Sequence, residues 1–292
     1  MQYTTFLWYY YFVVLFINVS VLLFLSFCED KKTLKVEGFV FYLGWYWLLN
    51  KTFLHIPKVS EGFVNKLNSQ GVTCWDSFLS NVNNLNLGDS KKEFLHSQIL
   101  ESKKSLEVGD YSHFLNLPIN EHWRLYSHLK DKCCFLDIET TGLSRARDEV
   151  TIIGLYDGQE SKIFINGKNF EDFEKEFNKY QLFITFNGRC FDIPFLREKF
   201  SKMRNDIFHI DLRFVLGKMG FRGGLKKIEK DFGICRDAEI GDVTGFEAVR
   251  LWHKYKRGDP QALGKLIKYN IADIENLKIL MNIAYDKLIL RE

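Results

Sequence analysis

The stretch CCFLDIETTGLS, residues 133–144, constrains the chain more than any other. Four apolar residues run straight into Asp137, and Glu139 follows two positions later. Residues two apart in a β-strand share a face, so both carboxylates project side by side at the end of an otherwise apolar strand. Adjacent carboxylates repel unless positive charge lies between them, and a hard divalent cation meets that need. Thr140, Thr141 and Gly142 then read as a turn. A solvated strand end and a metal site remain the two readings until the rest of the chain is considered.

The neighbouring texture is strand-rich. EVTIIGLYD (149–157), SKIFING (161–167) and QLFITFNG (181–188) carry β-branched and aromatic residues between turn residues. An amphipathic segment, FEDFEKEFNKY (170–180), precedes the last of them. Beyond it the pattern predicts helices over 191–203, 211–219, 225–232, 244–257 and 259–289, with a short strand at IFHI (207–210). Strands first, then helices with a βαβ crossover, predict an α/β or α+β domain in three layers over residues 131–292.

Two regions precede that domain. Residues 4–28 contain no charged side chain and are long enough to cross a bilayer. Lys31 and Lys32 follow, an arrangement that leaves the remainder of the chain in the cytoplasm, tethered by this segment. The competing reading is translated upstream sequence: no Met occurs between Met1 and Met203, so a non-ATG start near residue 50 leaves no trace. Residues 51–130 then form a small helical region. Within it, FLHIPKVSEGFVNKLNSQGVTCWDSFL (53–79) predicts two short helices around a turn. This stretch resembles a degenerate helix-hairpin-helix element, with Lys58 and Ser60 where glycines usually sit. A turn that needs close backbone approach is compromised by those side chains. Residues 81–132 read as a polar, helix-leaning linker. The net charge of +3 is too weak to specify a polyanionic partner, and the six cysteines lack any CxxC pairing, as expected of reduced thiols in an intracellular protein.

Three further stretches bear on the carboxylates. TFNGRCFDIPFL (185–196) ends a strand at Asn187 and places Asp192 at a helix start, where an acid also serves as an ordinary cap. LIKYNIADIENL (266–277) puts Tyr269 and Asp273 four apart, on one side of a helix that is otherwise apolar. HIDLRFVLG (209–217) has Asp211 after a short strand, as a helix cap or a further acid near the site.

Together these motifs resemble the DEDD family of 3′–5′ exonucleases within the ribonuclease-H-like superfamily. Asp137 and Glu139 match its DxE motif, Asn187, Phe191 and Asp192 its second, and Tyr269 and Asp273 its YxxxD. Lys268 stands where the histidine branch has His, so the match is to the tyrosine branch. The run as a whole is most similar to YprB-type ribonuclease-H-like proteins, over roughly residues 52–289. The resemblance implies a ribonuclease-H-like three-layer fold with a mixed central sheet flanked by helices. It implies hydrolysis of phosphodiesters at single-stranded DNA or RNA ends, with two Mg2+ (or Mn2+) ions held by Asp137, Glu139, Asp192 and Asp273. An oxygen-only ligand set suits such ions. In this picture Tyr269 orients the attacking water. An endonuclease on hybrid or structured nucleic acid, and an inactive binding module, are the alternatives. Substrate contacts are expected from Thr140, Thr141, Gly142 and Asn187. KMGFRGGLKKIEK (218–230) adds Arg222, Lys226 and Lys227, beside Lys218, as a phosphate track around a glycine-rich turn.

Overall fold

The computed structural model describes residues 48–241 and 243–292. Its strands are β1 (Cys133–Thr140), β2 (Val150–Tyr156), β3 (Ser161–Ile165), β4 (Leu182–Thr185) and β5 (Phe208–Asp211). They form one sheet in the order β3-β2-β1-β4-β5. β1 and β3 run antiparallel to β2, while β4 runs parallel to β1 and to β5. Parallel neighbours need a crossover. α4 (Phe173–Phe177) lies in the connection before β4, and α5 (Asp192–Lys199) links β4 to β5. Further helices among the described residues are α1 (Glu61–Asn68), α2 (Trp75–Asn81), α3 (Asp89–Glu107), α6 (Leu212–Lys218), α7 (Leu225–Asp231), α8 (Gly245–Lys256) and α9 (Pro260–Ile289). The mixed sheet flanked by helices is the three-layer fold expected from the sequence.

β1 sits in the middle of the sheet and is apolar on both faces, so its residues sort by alternation. Cys133 and Phe135 join the core that contains Leu277, Leu280 and Ala284 of α9. Cys134, Leu136 and Ile138 join Phe173 and Phe177 of α4 and Phe195 and Leu196 of α5 on the other face. Asp137 and Glu139 follow Phe135 by even steps and therefore face α9. That helix starts at Pro260, with Asp259 accepting hydrogen bonds from the Gln261 and Ala262 backbone N–H groups at 3.0 and 3.2 Å. Its apolar face is interrupted by buried Tyr269, Asn270, Asp273 and Asn276. Polar side chains inside a packed helix face need partners, and the end of β1 supplies them.

The amino-terminal region behaves differently from its polar composition. The two short helices α1 and α2 flank a turn at Gly71. Lys58 adopts φ 63°, so the chain takes the left-handed turn without glycine, at about 1 kcal/mol. Ser60 caps α1 by accepting from the Phe63 N–H at 3.3 Å. Residues 81–132 are no linker: Leu95, Ile99, Leu106, Trp123 and Leu125 pack into the same core as Phe135 and Ile184. Apart from α3 and a 3-10 turn at Val82–Asn84, the stretch forms 3-10 turns at Tyr111–Phe114, Ile119–Leu125 and Lys130–Lys132. The second of these reaches the edge strand β5, where His122 Nδ1 accepts from the His209 N–H at 2.9 Å and Nε2 donates to the Leu117 carbonyl. An edge strand thereby gains a partner for an otherwise open N–H. The described residues lie in one compact unit, and the sequence division at residue 130 falls inside it. No helix among the described residues is long and apolar enough to cross a membrane; the apolar run 4–28 lies outside them.

Candidate active site

β4 pairs with β1 only as far as Phe135↔Ile184. Beyond that register the two parallel strands part at their carboxyl ends, which is where open α/β sheets form crevices. The split frees backbone groups, and acids take them up. Asp192, at the first position of α5, accepts from the Ile138 N–H at 3.1 Å. Asp211, at the end of β5, accepts from the N–H groups of Asn187 at 2.7 Å, Arg189 at 3.0 Å and Arg213 at 3.1 Å. Asp211 is thus the helix cap, and it also holds Asn187 at φ 68°, a conformation asparagine tolerates.

Into the crevice project Asp137, Glu139 and Asp273, each offering a carboxylate oxygen within 4.8 Å of the others. Asn270, one position after Tyr269, donates from Nδ2 to Asp137 Oδ2 at 2.9 Å. Its Oδ1 is buried without a partner and lies over Gly154. Gly154 pairs with Asp137 in the β1–β2 register, and a Cβ there would sit 2.0 Å from that oxygen. Glycine at this strand position therefore makes room for the amide that orients Asp137. The three acids, Asp192 and Tyr269 line an open cavity of about 560 Å³.

Burial without enough positive charge pushes every acid of the site upward. Asp137 and Glu139 are raised well above the usual carboxylate range, first by desolvation and then by the Asp273 charge. Asp192 is pushed up to about 7 and Asp273 to about 6, both chiefly by burial. Tyr269 is likewise raised by burial and by Asp273, Glu139 and Asp137, which keeps the phenol neutral. The counter-charge within the protein is Arg236. Its guanidinium forks onto Glu229 through Nε and Nη2, each at 2.7 Å, and the same Nη2 bonds Asp273 Oδ1. Asn276 donates to Glu229 Oε1 at 2.9 Å, closing the network. The Arg236 guanidinium also lies 5.4 Å from the Tyr269 ring centre. An all-oxygen donor set, buried, crowded and short of positive charge, fits a hard divalent cation. Asp137, Glu139 and Asp273 would hold it, with Asp192 alongside.

The expected substrate residues separate into three groups. Thr140, Thr141, Gly142 and Asn187 line the carboxylate cavity. Both threonine hydroxyls are engaged within the turn, Thr140 donating to the Gly142 carbonyl at 2.6 Å and Thr141 accepting from the Glu149 N–H at 2.9 Å. Arg222 lines a second cavity next to the first. Lys226 and Lys227 line neither: Lys226 bonds the Gly241 and Val243 carbonyls, 5.2 Å from the Tyr269 ring, and Lys227 pairs with Asp231 at 2.5 Å. Sequence reading missed Asn270, Arg236, Glu229, Asn276 and Arg213. It also passed over Leu143 and Phe246, apolar side chains 86% and 68% exposed at the cavity wall. The readable signal was Asn270 and Asn276 inside an apolar helix face; Arg236 lies in a segment without periodicity, and Arg213 in the first turn of the short helix α6.

A central strand delivering two acids to a tyrosine- and aspartate-bearing helix defines a ribonuclease-H-like site. Residues 134–285, more than half of the chain, match the profile of RNase_H_2 in the RNase_H superfamily, and the chain belongs to that superfamily. No curated protein matches it in sequence. Similar solved structures include the family B DNA polymerase from the hyperthermophilic archaeon Pyrobaculum calidifontis, 17% identical with TM-score 0.42, covering 54% of this chain and 24% of that one. Brucella melitensis NrnC with bound Mg2+ is 19% identical with TM-score 0.38, over 54% of this chain and 73% of NrnC. Escherichia coli RNase D, an exoribonuclease involved in structured RNA processing, is 14% identical with TM-score 0.37, over 59% of this chain and 47% of that one. The chain thus spans about a quarter of the polymerase and about half of RNase D.

Proposed function

We propose that this protein is a metal-dependent 3′–5′ exonuclease that hydrolyses phosphodiester bonds at single-stranded ends of DNA or RNA by a two-metal mechanism. The observation that carries this reading is the meeting of Asp137, Glu139 and Asp273 within 4.8 Å at an open cavity also lined by Tyr269. Charge balance supports two ions. Arg236 offsets Glu229, which leaves Asp137, Glu139, Asp192 and Asp273, four negative charges against two divalent cations. When bound, such ions neutralise the phosphate, acidify a water and support the leaving oxygen. The residues supply the rest. Asn270 and Arg236 fix the carboxylates, and neutral Tyr269 holds the water by hydrogen bonding rather than acting as a base. Leu143 and Phe246 offer apolar faces to the terminal base.

The test uses the purified protein with 5′-labelled single-stranded DNA and matching RNA, in Mg2+, Mn2+ or EDTA. Products shortened stepwise from the 3′ end, lost in Asp137→Ala and slowed about a hundredfold in Tyr269→Phe, are expected. Internal cuts would replace this reading by an endonuclease. Binding without cleavage in any metal would replace it by a non-catalytic nucleic-acid module.

A further inference from the structure

The carboxylate cavity does not end at Asn187. A second cavity of about 600 Å³ adjoins it, and Phe186 and Asn187 line both. Its chemistry is different. In place of acids it has Arg213 and Arg222, the ring of Phe221, and the unsubstituted backbone of Gly217, Gly223 and Gly224. Arg213 Nη1 donates to Asn187 Oδ1 at 2.6 Å, so the side chain on the shared wall is anchored from the arginine side. Cations beside an aromatic face, along a wall free of side chains, are what a single-stranded backbone binds to: guanidinium for phosphate, ring for base, bare backbone for close approach. A Cβ built at Gly217 or Gly224 meets nothing within 4 Å, so these two glycines keep the space open without being demanded by packing, whereas Gly223 takes φ 132° and packs against Lys227.

We propose that this arginine-lined groove binds the second nucleotide of a single-stranded polynucleotide and the phosphate on its 5′ side. This rests on the exonuclease reading of the adjoining cavity. The scissile phosphate sits over the carboxylates beside the terminal nucleotide, the leaving sugar crosses at Asn187, and the chain continues towards Arg213 and Arg222. Negative acids on one side and arginines on the other give the path a polarity. The enzyme therefore prefers substrates of three or more nucleotides, whose second linkage reaches the arginines, over substrates that fill only the first cavity.

The test compares two substrates across wild type, Arg222→Gln and Gly217→Leu. Thymidine 5′-monophosphate p-nitrophenyl ester occupies the first cavity and leaves the groove without a nucleotide. A tetranucleotide fills both. The readout is the ratio of kcat/KM for the tetranucleotide to that for the ester. A charge-assisted contact to phosphate implies a fall in that ratio of about tenfold in Arg222→Gln. The dependence of log KM on log salt should lose about 0.7 for one lost phosphate contact. Gly217→Leu, which blocks the groove without adding or removing charge, should lower the ratio and leave the salt slope as it is. An unchanged ratio in both variants overturns the proposal. If wild type hydrolyses neither substrate, the exonuclease reading fails separately. The groove is then judged by fluorescence anisotropy of a labelled tetranucleotide in Ca2+: equal affinity in all three proteins overturns it, and weakened binding in both variants sustains it.

Discussion

Replacing Arg236 by Gln strands two buried carboxylates at once. The arginine side chain is 5% exposed, and its partners Glu229 and Asp273 are 2% and 6% exposed, so solvent does not screen the loss. Breaking a buried pair by deleting one member costs about 3–5 kcal/mol, because the remaining charge has no water to return to. At about 2–4 °C per kcal/mol for a domain of this size, the Arg236→Gln variant should melt roughly 6–20 °C below wild type. The geometry makes a finer statement. Glu229 takes two of the guanidinium contacts and Asp273 one, so a divalent cation can offset Asp273 but not Glu229.

Saturating Mg2+ should therefore restore only part of the loss. Adding Glu229→Gln should restore more, since Asn276 can still donate to the amide oxygen. Differential scanning calorimetry on the four proteins of the double-mutant cycle, with and without Mg2+, measures both. A fall in Tm under about 4 °C for Arg236→Gln, or full rescue by Mg2+ alone, would refute this account of where the charge is held.

A Gly154→Ala variant forces a methyl to within 2.0 Å of Asn270 Oδ1 and 3.2 Å of Ile274 Cδ1, in a sheet face sealed by α9. It should lose about 1–3 kcal/mol in urea denaturation and bind Mg2+ more weakly by calorimetric titration; wild-type behaviour in both would show that Asn270 does not orient Asp137. Asp273 and Asp192 have folded pKa values of about 6 and about 7 against an ordinary 3.8. The folded protein thus holds more protons than the unfolded chain between about pH 4 and 7, and their contribution to metal-free stability falls as pH rises through that window. Because Mg2+ must displace those protons, its stabilisation should be small near pH 5 and grow through pH 7; a Mg2+-induced Tm shift independent of pH would falsify the coupling.

What could be read from the sequence was whatever a period fixes. Asp137 and Glu139 share a strand face by the period of two, and Tyr269 and Asp273 share a helix face by the period of 3.6, which is all that local sequence says of either pair. The same logic was available at Leu95, Ile99 and Leu106, which form an apolar stripe on α3, but the lysines and serines around them masked it. Arg236 and Arg213 were not legible. Arg236 lies between α7 and α8, and Arg213 beside a cap, where nothing local says which way a long side chain turns. Lys226 shows the converse. It belongs to a basic run that suggested phosphate, yet its ammonium reaches back to the carbonyls of Gly241 and Val243 because those acceptors are presented by the loop that follows α7.

The site's position follows from the same event that creates its polar needs. β1 and β4 part after Phe135, and around that point the N–H groups of Ile138 in β1 and of Asn187 and Arg189 in the turn after β4 bond to carboxylates instead of to a strand. Neutral acceptors would satisfy them equally well. The chain instead uses Asp192 and Asp211, adding charge to a place already holding Asp137, Glu139 and Asp273. On stability alone that choice is unfavourable, since Asp192 raises Asp137 and Glu139, Asp211 raises Asp192, and both are held above their ordinary pKa, chiefly by burial. Such a conflict between local satisfaction and global electrostatics is expected of a functional site, and under the proposed function cation binding would recover what folding gives up. The nearby Asn187, held at positive φ by Asp211, and the unpartnered oxygen of Asn270 belong to the same small region. The split of two strands is therefore the structural cause, and the excess of negative charge placed around it is the part that the proposed metal-dependent function accounts for.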